Sequence, residues 1–216
     1  MIKYLSQSNS IASVFIRELR DANIQKDQSR FRKNLFRLGE IFAYEISKTL
    51  RYAVQEIETP LGYAKGAIPQ DNIVLATILR AGLPMHYGML NFFDDAESAF
   101  VSAFRKHHKD GTFEINLEYV NCPNLDGKTL IITDPMIATG SSMEAALKAL
   151  LESGTPKEIH LVTVIASTYG LGYIKRILPG THIWLGEEDE ELTAKSYIVP
   201  GLGDAGDLAF GGVKPD

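Results

Sequence analysis

The chain reads as an α/β fold, a mostly parallel central sheet flanked by helices. Three observations predict it. Residues 73–79, 130–132, 159–166 and 181–185 are short, largely apolar runs, as strands covered on both faces require. Segments with apolar residues at helical spacing lie between them, such as Met143, Ala146, Leu147, Leu150 and Leu151, and strands that alternate with helices build parallel sheets. Two of the runs end in polar, small-residue turns, at Arg80 and at Asp134, where open α/β sheets bind their ligands.

Taken in order, residues 1–27 are polar and mixed, with a short helix expected over 11–20. A stronger helix starts near Ser29, because Phe31, Leu35, Leu38, Phe42 and Ile46 share one face. Arg30, Arg32, Lys33 and Arg37 at its start read as a solvated face or, more sharply, as a basic rim beside a phosphate or regulatory nucleotide site. Pro60, Gly62, Gly66 and Pro69 predict loops or a hairpin over 53–72. The strand at 73–79 delivers Arg80 to the sheet's carboxyl edge, and a planar guanidinium suits pyrophosphate because it bonds two oxygens at once.

Residues 98–104 form the next strand, Asp110-Gly111 a hairpin turn, and 113–119 alternate as the returning strand. Such a two-stranded flap, with Arg105 and Lys106 at its base, would serve as a lid over a polyanion. His107 and His108 lack the third ligand a metal centre needs. Gly127-Lys128-Thr129 imitates the end of a P-loop, but Cys122 stands where the first glycine belongs and a strand follows instead of a helix.

The stretch 130–142 organises the rest. An apolar strand ends in Asp134, and Thr139, Gly140, Ser141 and Ser142 form a small-residue turn that opens the helix stopped by Gly154 and Pro156. Backbone N–H groups, hydroxyls and the positive end of a helix suit a phosphate, and the preceding carboxylate suits sugar hydroxyls. The stretch predicts a pocket for a phosphorylated ribose. Past the strand at 159–166 comes a helix to about Leu178, then the strand at 181–185, and Glu187-Glu188-Asp189-Glu190-Glu191 reads as a solvated loop. Residues 197–207 hold too many glycines around Asp204 and Asp207 for a helix or a central strand. They predict a shaped loop whose main-chain groups read the edge of a planar base, with Ile198 or Tyr197 as an apolar wall.

Composition narrows the function. A formal net charge of −5 over 216 residues gives no general attraction to nucleic acid or anionic membrane. No apolar run approaches the roughly 20 residues that span a bilayer, and the polar start predicts no signal peptide. The single cysteine, Cys122, forms no intramolecular disulfide, so a soluble cytoplasmic chain is expected.

These motifs carry a resemblance. Residues 134–142, Asp-Pro-Met-Ile-Ala-Thr-Gly-Ser-Ser, resemble the phosphoribosyl-pyrophosphate (PRPP) loop of type I phosphoribosyltransferases, and Pro135 in place of a second acid resembles the uracil phosphoribosyltransferase branch. Ile78-Leu79-Arg80-Ala81-Gly82-Leu83 is similar to that branch's pyrophosphate loop, and 197–207 to its uracil-binding loop. The resemblance covers about 16–212. It implies the type I fold with a hairpin flap, and a hood built from an amino-terminal part (1–52) and the carboxyl-terminal loop, over a core at 73–185, all in one domain. It implies that Arg80, Arg105, Asp134, Pro135, Met136, Ile137, Ala138, Thr139, Gly140, Ser141, Ser142 and Asp204 bind PRPP, with Arg80, Arg105, Asp134 and Asp204 catalytic. It implies that Ile198, Gly203, Asp204 and Ala205 bind uracil, and a strained or cis bond is expected at Arg80-Ala81. Magnesium is implied as cargo of PRPP, with no metal site of the protein's own. A homodimer or homotetramer, with GTP as an activator, would follow the family. Two other classes stay open at this point: a purine transferase on the same fold, and a regulatory protein that binds uracil nucleotides and RNA.

Overall fold

The computed structural model describes residues 1–107 and 113–212, and of residues 104–107 and 113–116 the backbone alone. In chain order the strands are β1 (Ile2–Tyr4), β2 (Tyr52–Thr59), β3 (Gly62–Pro69), β4 (Ile73–Leu79), β5 (Glu97–His107), β6 (Phe113–Asn121), β7 (Thr129–Thr133), β8 (Met136–Ile137), β9 (Glu158–Ser167), β10 (His182–Asp189), β11 (Glu191–Leu192) and β12 (Ile198–Val199). The α-helices are α1 (Ile11–Arg20), α2 (Gln28–Ser47), α3 (Leu83–Leu90), α4 (Ser141–Leu151), α5 (Thr168–Ile177) and α6 (Ala205–Phe210).

The main sheet runs β1-β10-β9-β7-β4-β5-β6, with β8 paired to β9, and every pairing in it but β5–β6 is parallel. Alternation along the strands sorts the core into two layers. Ile73, Leu75, Ile131, Val162 and Trp184 face α1, α2 and α3, through Leu19, Leu35, Phe42 and Met85. Val74, Ala76, Leu130, Ile132 and Leu161 face α4 and α5, through Met143, Leu147, Leu150 and Ile174. Both faces are therefore covered, which is why the strands read as unbroken apolar runs.

Side chains set the helix starts. Ser10, Asp27 and Ser167 each accept from a backbone N–H in the first turn of α1, α2 and α5. Helices α2 and α3 cross closely: a Cβ at Gly39 would stand 2.3 Å from the Met85 carbonyl oxygen, and one at Gly88 would stand 2.0 Å from that of Phe36.

Of the two readings of 53–72, loops or a hairpin, the hairpin holds: β2–β3 pairs from Tyr52–Pro69 to Thr59–Gly62. Other expectations change. Strand β1 was not anticipated; it adds to the sheet beside β10. The acidic run is not a solvated loop. Strand β10 continues to Asp189, Arg20 pairs with both Glu187 and Asp189, and the hydroxyls of Tyr4 and Thr168 donate to Glu188. The turn expected at Asp110-Gly111 and the residue His108 lie outside the described residues, as does the side chain of His107.

Candidate active site

Strand order locates the site. From β4 the chain crosses through α3 to β5 on one side, and from β7 through α4 to β9 on the other. The two adjacent strands thus mark a switch point, and open α/β sheets bind their ligands in the crevice beyond the carboxyl ends at such a point. Hydroxyls close the gap beneath it. Thr133 Oγ1 donates to Thr77 Oγ1 (3.0 Å) and to the Ala76 carbonyl (3.3 Å). Above them the Arg80 loop turns so tightly that a Cβ at Gly82 would stand 2.2 Å from Thr77 Oγ1. The cis bond of this loop is Leu79-Arg80, one bond before the expected position.

Arg80 reaches across to the carboxyl-terminal segment. Its Nη2 lies 3.4 Å from Asp207 Oδ1, and its Nη1 donates to the Gly211 carbonyl (3.3 Å). Both partners in the ion pair are about half exposed, so the pair is weak. Arg105 has its backbone in β5 opposite Ile115, and its side chain lies outside what the structure describes.

Asp134 follows β7, half-buried, with its N–H donating to the Val162 carbonyl (3.1 Å). The loop behind it is held from two sides. Met136 and Ile137 pair with Ile165 and Ala166 as β8, and the Pro135 carbonyl accepts from Val164 and Ile165 (3.0 Å each). Ser167 Oγ donates to the Ala138 carbonyl, and α5 approaches so near that a Cβ at Gly170 would stand 2.4 Å from that same oxygen. Thr139, Gly140, Ser141 and Ser142 then turn into α4. Gly140 has φ +86°, and a Cβ there would stand 2.9 Å from the Tyr173 ring, so the position needs glycine. The hydroxyls of Thr139 and Ser141 are 3.1 Å apart at the start of α4. A phosphate placed here meets hydroxyls and the positive end of an eleven-residue helix.

The loop 197–207 is the third wall. Part of the expectation is corrected: Ile198–Val199 pairs with Glu191–Leu192, and Ala205 opens α6, capped by Asp204 Oδ1 accepting from Asp207 N–H (3.0 Å). Ile198, Leu202 and Ala205 are buried, whereas Gly203 and Asp204 are exposed. A Cβ at Gly206 would stand 3.2 Å from Asp204 Oδ1 and 3.7 Å from Arg80 Nη2, which places Arg80 beside this loop.

Of the four cations of α2, Lys33 is exposed and the other three are engaged. Arg30 pairs with Glu18, whose carboxyl is pushed down to about 2 by that bond and by the Asn34 amide. Arg32 donates to the Ala209 carbonyl (2.6 Å), and Arg37 lies over the Phe15 ring. They brace the amino-terminal helices to each other and to the carboxyl-terminal segment. Sequence reasoning missed Thr77, Thr133, Ser167 and Asp207, whose partners lie far along the chain.

Among the described residues, Glu158, His160 and His182 also bring ligand atoms within 4.8 Å of one another, at the amino ends of β9 and β10. Trp184 Nε1–H donates to His160 Nδ1 (3.0 Å), so the proton of the neutral ring sits on Nε2, which faces Glu158 at 3.4 Å. The nitrogen a cation would need is already a donor.

Comparison with known proteins agrees with this geometry. The family described as "Uracil phosphoribosyltransferase" matches residues 6–212. A uracil phosphoribosyltransferase of Porphyromonas gingivalis is 53% identical over 209 residues, covering 96% of this chain and 97% of that protein. One of Pyrococcus furiosus is 42% identical over 197 residues, 90% of this chain and 83% of its own. The solved structure of the AQ2163 protein from Aquifex aeolicus superposes with a TM-score of 0.87 at 32% identity, covering 98% of each chain. The chain belongs to the uracil phosphoribosyltransferase family.

Proposed function

We propose that this chain transfers the 5-phosphoribosyl group of PRPP to N1 of uracil, giving UMP and pyrophosphate in pyrimidine salvage in the cytoplasm. The observation that carries the reading is the meeting of three loops at one switch point: Arg80 after β4, Asp134–Ser142 after β7, and the Ile198–Ala205 segment beside Arg80.

In this reading the ribose 5′-phosphate sits on Thr139, Gly140, Ser141 and Ser142 at the start of α4, and Asp134 accepts from the ribose hydroxyls. Pro135, Met136, Ile137 and Ala138 form the strap that β9 and Ser167 hold against the sheet. Arg80 leaves Asp207 for the pyrophosphate, and Arg105 reaches it from the flap. Main-chain groups of Ile198, Gly203 and Ala205 read uracil, and Asp204 faces PRPP. The bond from uracil N1 to the anomeric carbon forms as that carbon's bond to the pyrophosphate oxygen breaks, and the N1 proton is released with the products. Negative charge grows on the leaving group, and the two guanidinium groups oppose it more strongly as it grows. Positive charge grows on the ribose ring, so holding the reactants aligned and excluding water supply much of the rate. The hard oxygen donors of the crevice, Asp134 among them, suit Mg²⁺ carried on the pyrophosphate, where it neutralises charge.

The chain acts as one domain in this account, with α1, α2 and the 197–207 loop as its hood. A homo-oligomer fits the β2–β3 hairpin, a two-stranded ribbon with Val54, Leu61 and Tyr63 exposed, since such ribbons are marginal alone. GTP as an activator enters this reading from the family resemblance. No helix among the described residues is long and apolar enough to cross a membrane. The test is product identity: PRPP, Mg²⁺ and uracil should give UMP and pyrophosphate in equal amounts. Loss of PRPP without UMP refutes the reading.

A further inference from the structure

Asp189 belongs to none of the loops that surround the crevice, yet it is buried at the end of β10 and fully engaged. Its Oδ1 and Oδ2 accept from Arg20 Nη2 at 2.8 and 3.1 Å, and its Oδ2 also accepts from the Gly201 N–H at 2.8 Å. Arg20, the last residue of α1, gives its other nitrogen to Glu187 (2.7 Å). Gly201 is the tightest point of the loop after β12: its φ is +56°, and a Cβ there would stand 2.3 Å from the Ile198 carbonyl oxygen. One residue further on, the Gln25 amide, turned so that its nitrogen faces its neighbours, donates to the Leu202 carbonyl at 2.7 Å. The segment from Ile198 to Ala205 is thus fastened near its apex by a carboxylate from the sheet, itself clamped by Arg20, and by Gln25 of the amino-terminal hood.

We infer that Asp189, clamped by Arg20, is a positioning residue for base recognition: it fixes the apex of the loop at Gly201, so that Ile198, Gly203 and Ala205 present their main-chain groups to uracil. The inference rests on the reading of 198–205 as the base loop. A buried carboxylate is tolerated only where its acceptors are filled, and Arg20 together with the Gly201 N–H fills them. Removing the carboxylate strands the Gly201 N–H, and an unsatisfied buried donor lowers the population of the fastened loop by about tenfold or more. Uracil, which needs that loop, feels the whole loss. PRPP, bound mainly on the loops after β4 and β7, loses little affinity, although kcat falls because Asp204 moves with the loop.

Steady-state kinetics on the full-length protein, with each substrate varied in turn, test this on Asp189→Ala, Asp189→Asn and Arg20→Gln, with Gly203→Val as a change within the loop itself. Asp189→Ala should raise the uracil KM about tenfold and leave the PRPP KM within about twofold. Asp189→Asn should recover most of that loss, because its amide oxygen still accepts from Gly201, although it loses the ion pair with Arg20 as fully as alanine does. Should Asp189→Ala not fold, Arg20→Gln decides: the uracil KM rises severalfold with PRPP unaffected if Arg20 holds the clamp, and an unchanged uracil KM overturns the inference. Equal rises for both substrates, or an asparagine variant no better than alanine, overturn it as well. A raised uracil KM in Gly203→Val with normal Asp189 variants removes the positioning role and keeps the base loop. An unchanged uracil KM in Gly203→Val removes the base-loop reading itself.

Discussion

Asp204 has two roles in this account, and they can be separated. Its Oδ1 caps α6 by accepting from the Asp207 N–H at 3.0 Å, and its charge faces PRPP in the proposed complex. Replacing a capping aspartate by alanine costs about 1 kcal/mol, so Asp204→Ala should lower Tm by only about 2–4 °C in a chain of this size. The loss of turnover should be far larger. A group that stabilises charge in the reacting complex contributes about a hundredfold or more, so kcat/KM for PRPP should fall by at least that factor. Asp204→Asn sharpens the test, because asparagine caps a helix about as well as aspartate does. It should melt with the parent protein and turn over like the alanine variant. The assay is pyrophosphate release at saturating uracil, paired with thermal melts of all three proteins. Near-normal kcat/KM in either variant would remove Asp204 from the site. An asparagine variant that recovers full activity would reduce the residue to a helix cap.

Other consequences follow from the same structure. Arg105→Ala should weaken PRPP far more than uracil in steady-state kinetics, whereas equal weakening of both would point to a collapsed flap. Burial pushes His86 and His160 down to about 4, with His182 adding to the effect at His160, so both are neutral in the fold and protonate more readily when unfolded. Their contribution is complete above the unfolded pKa of about 6.5 and is lost as pH falls towards 4; each should cost about 2 kcal/mol between pH 7 and pH 5 in urea unfolding, and a flat profile would contradict the burial argument. Gly88→Ala drives a methyl into the Phe36 carbonyl across the α2–α3 crossing, and should lower stability by about 2 kcal/mol despite alanine's better helix propensity. An unchanged denaturation midpoint would show that the helices can separate without cost.

Much of this was legible in the residues. Apolar runs such as Ile73–Leu79 betray strands covered on both faces, and the spacing from Phe31 to Ile46 gives the buried face of α2. The proposed chemistry draws on short local patterns, at Arg80 and at Asp134 to Ser142. What escaped depends on distant partners. Strand β1 is three residues long and only half-buried, and nothing in Ile2-Lys3-Tyr4 announces β10 as its neighbour. Glu187 and Asp189 look like a solvated run because Arg20, which neutralises them, lies 167 and 169 residues away. Glycine content hid α6, since the Asp204 cap, and not helix propensity, starts that helix. Likewise, the pairing of Met136 and Ile137 with β9 gives the loop after β7 a rigid back that its composition does not suggest.

The central claim is that the crevice between β4 and β7 joins a pyrimidine, and uracil among pyrimidines, to the ribose of PRPP. Pyrophosphate release with PRPP, Mg²⁺ and one base at a time, with and without GTP, tests it most directly. The account predicts turnover with uracil and none with cytosine, hypoxanthine, guanine or adenine. Turnover with a purine would keep the fold and overturn the reading of Gly203 to Ala205, and no release with any base would leave a nucleotide-binding regulator in place of an enzyme.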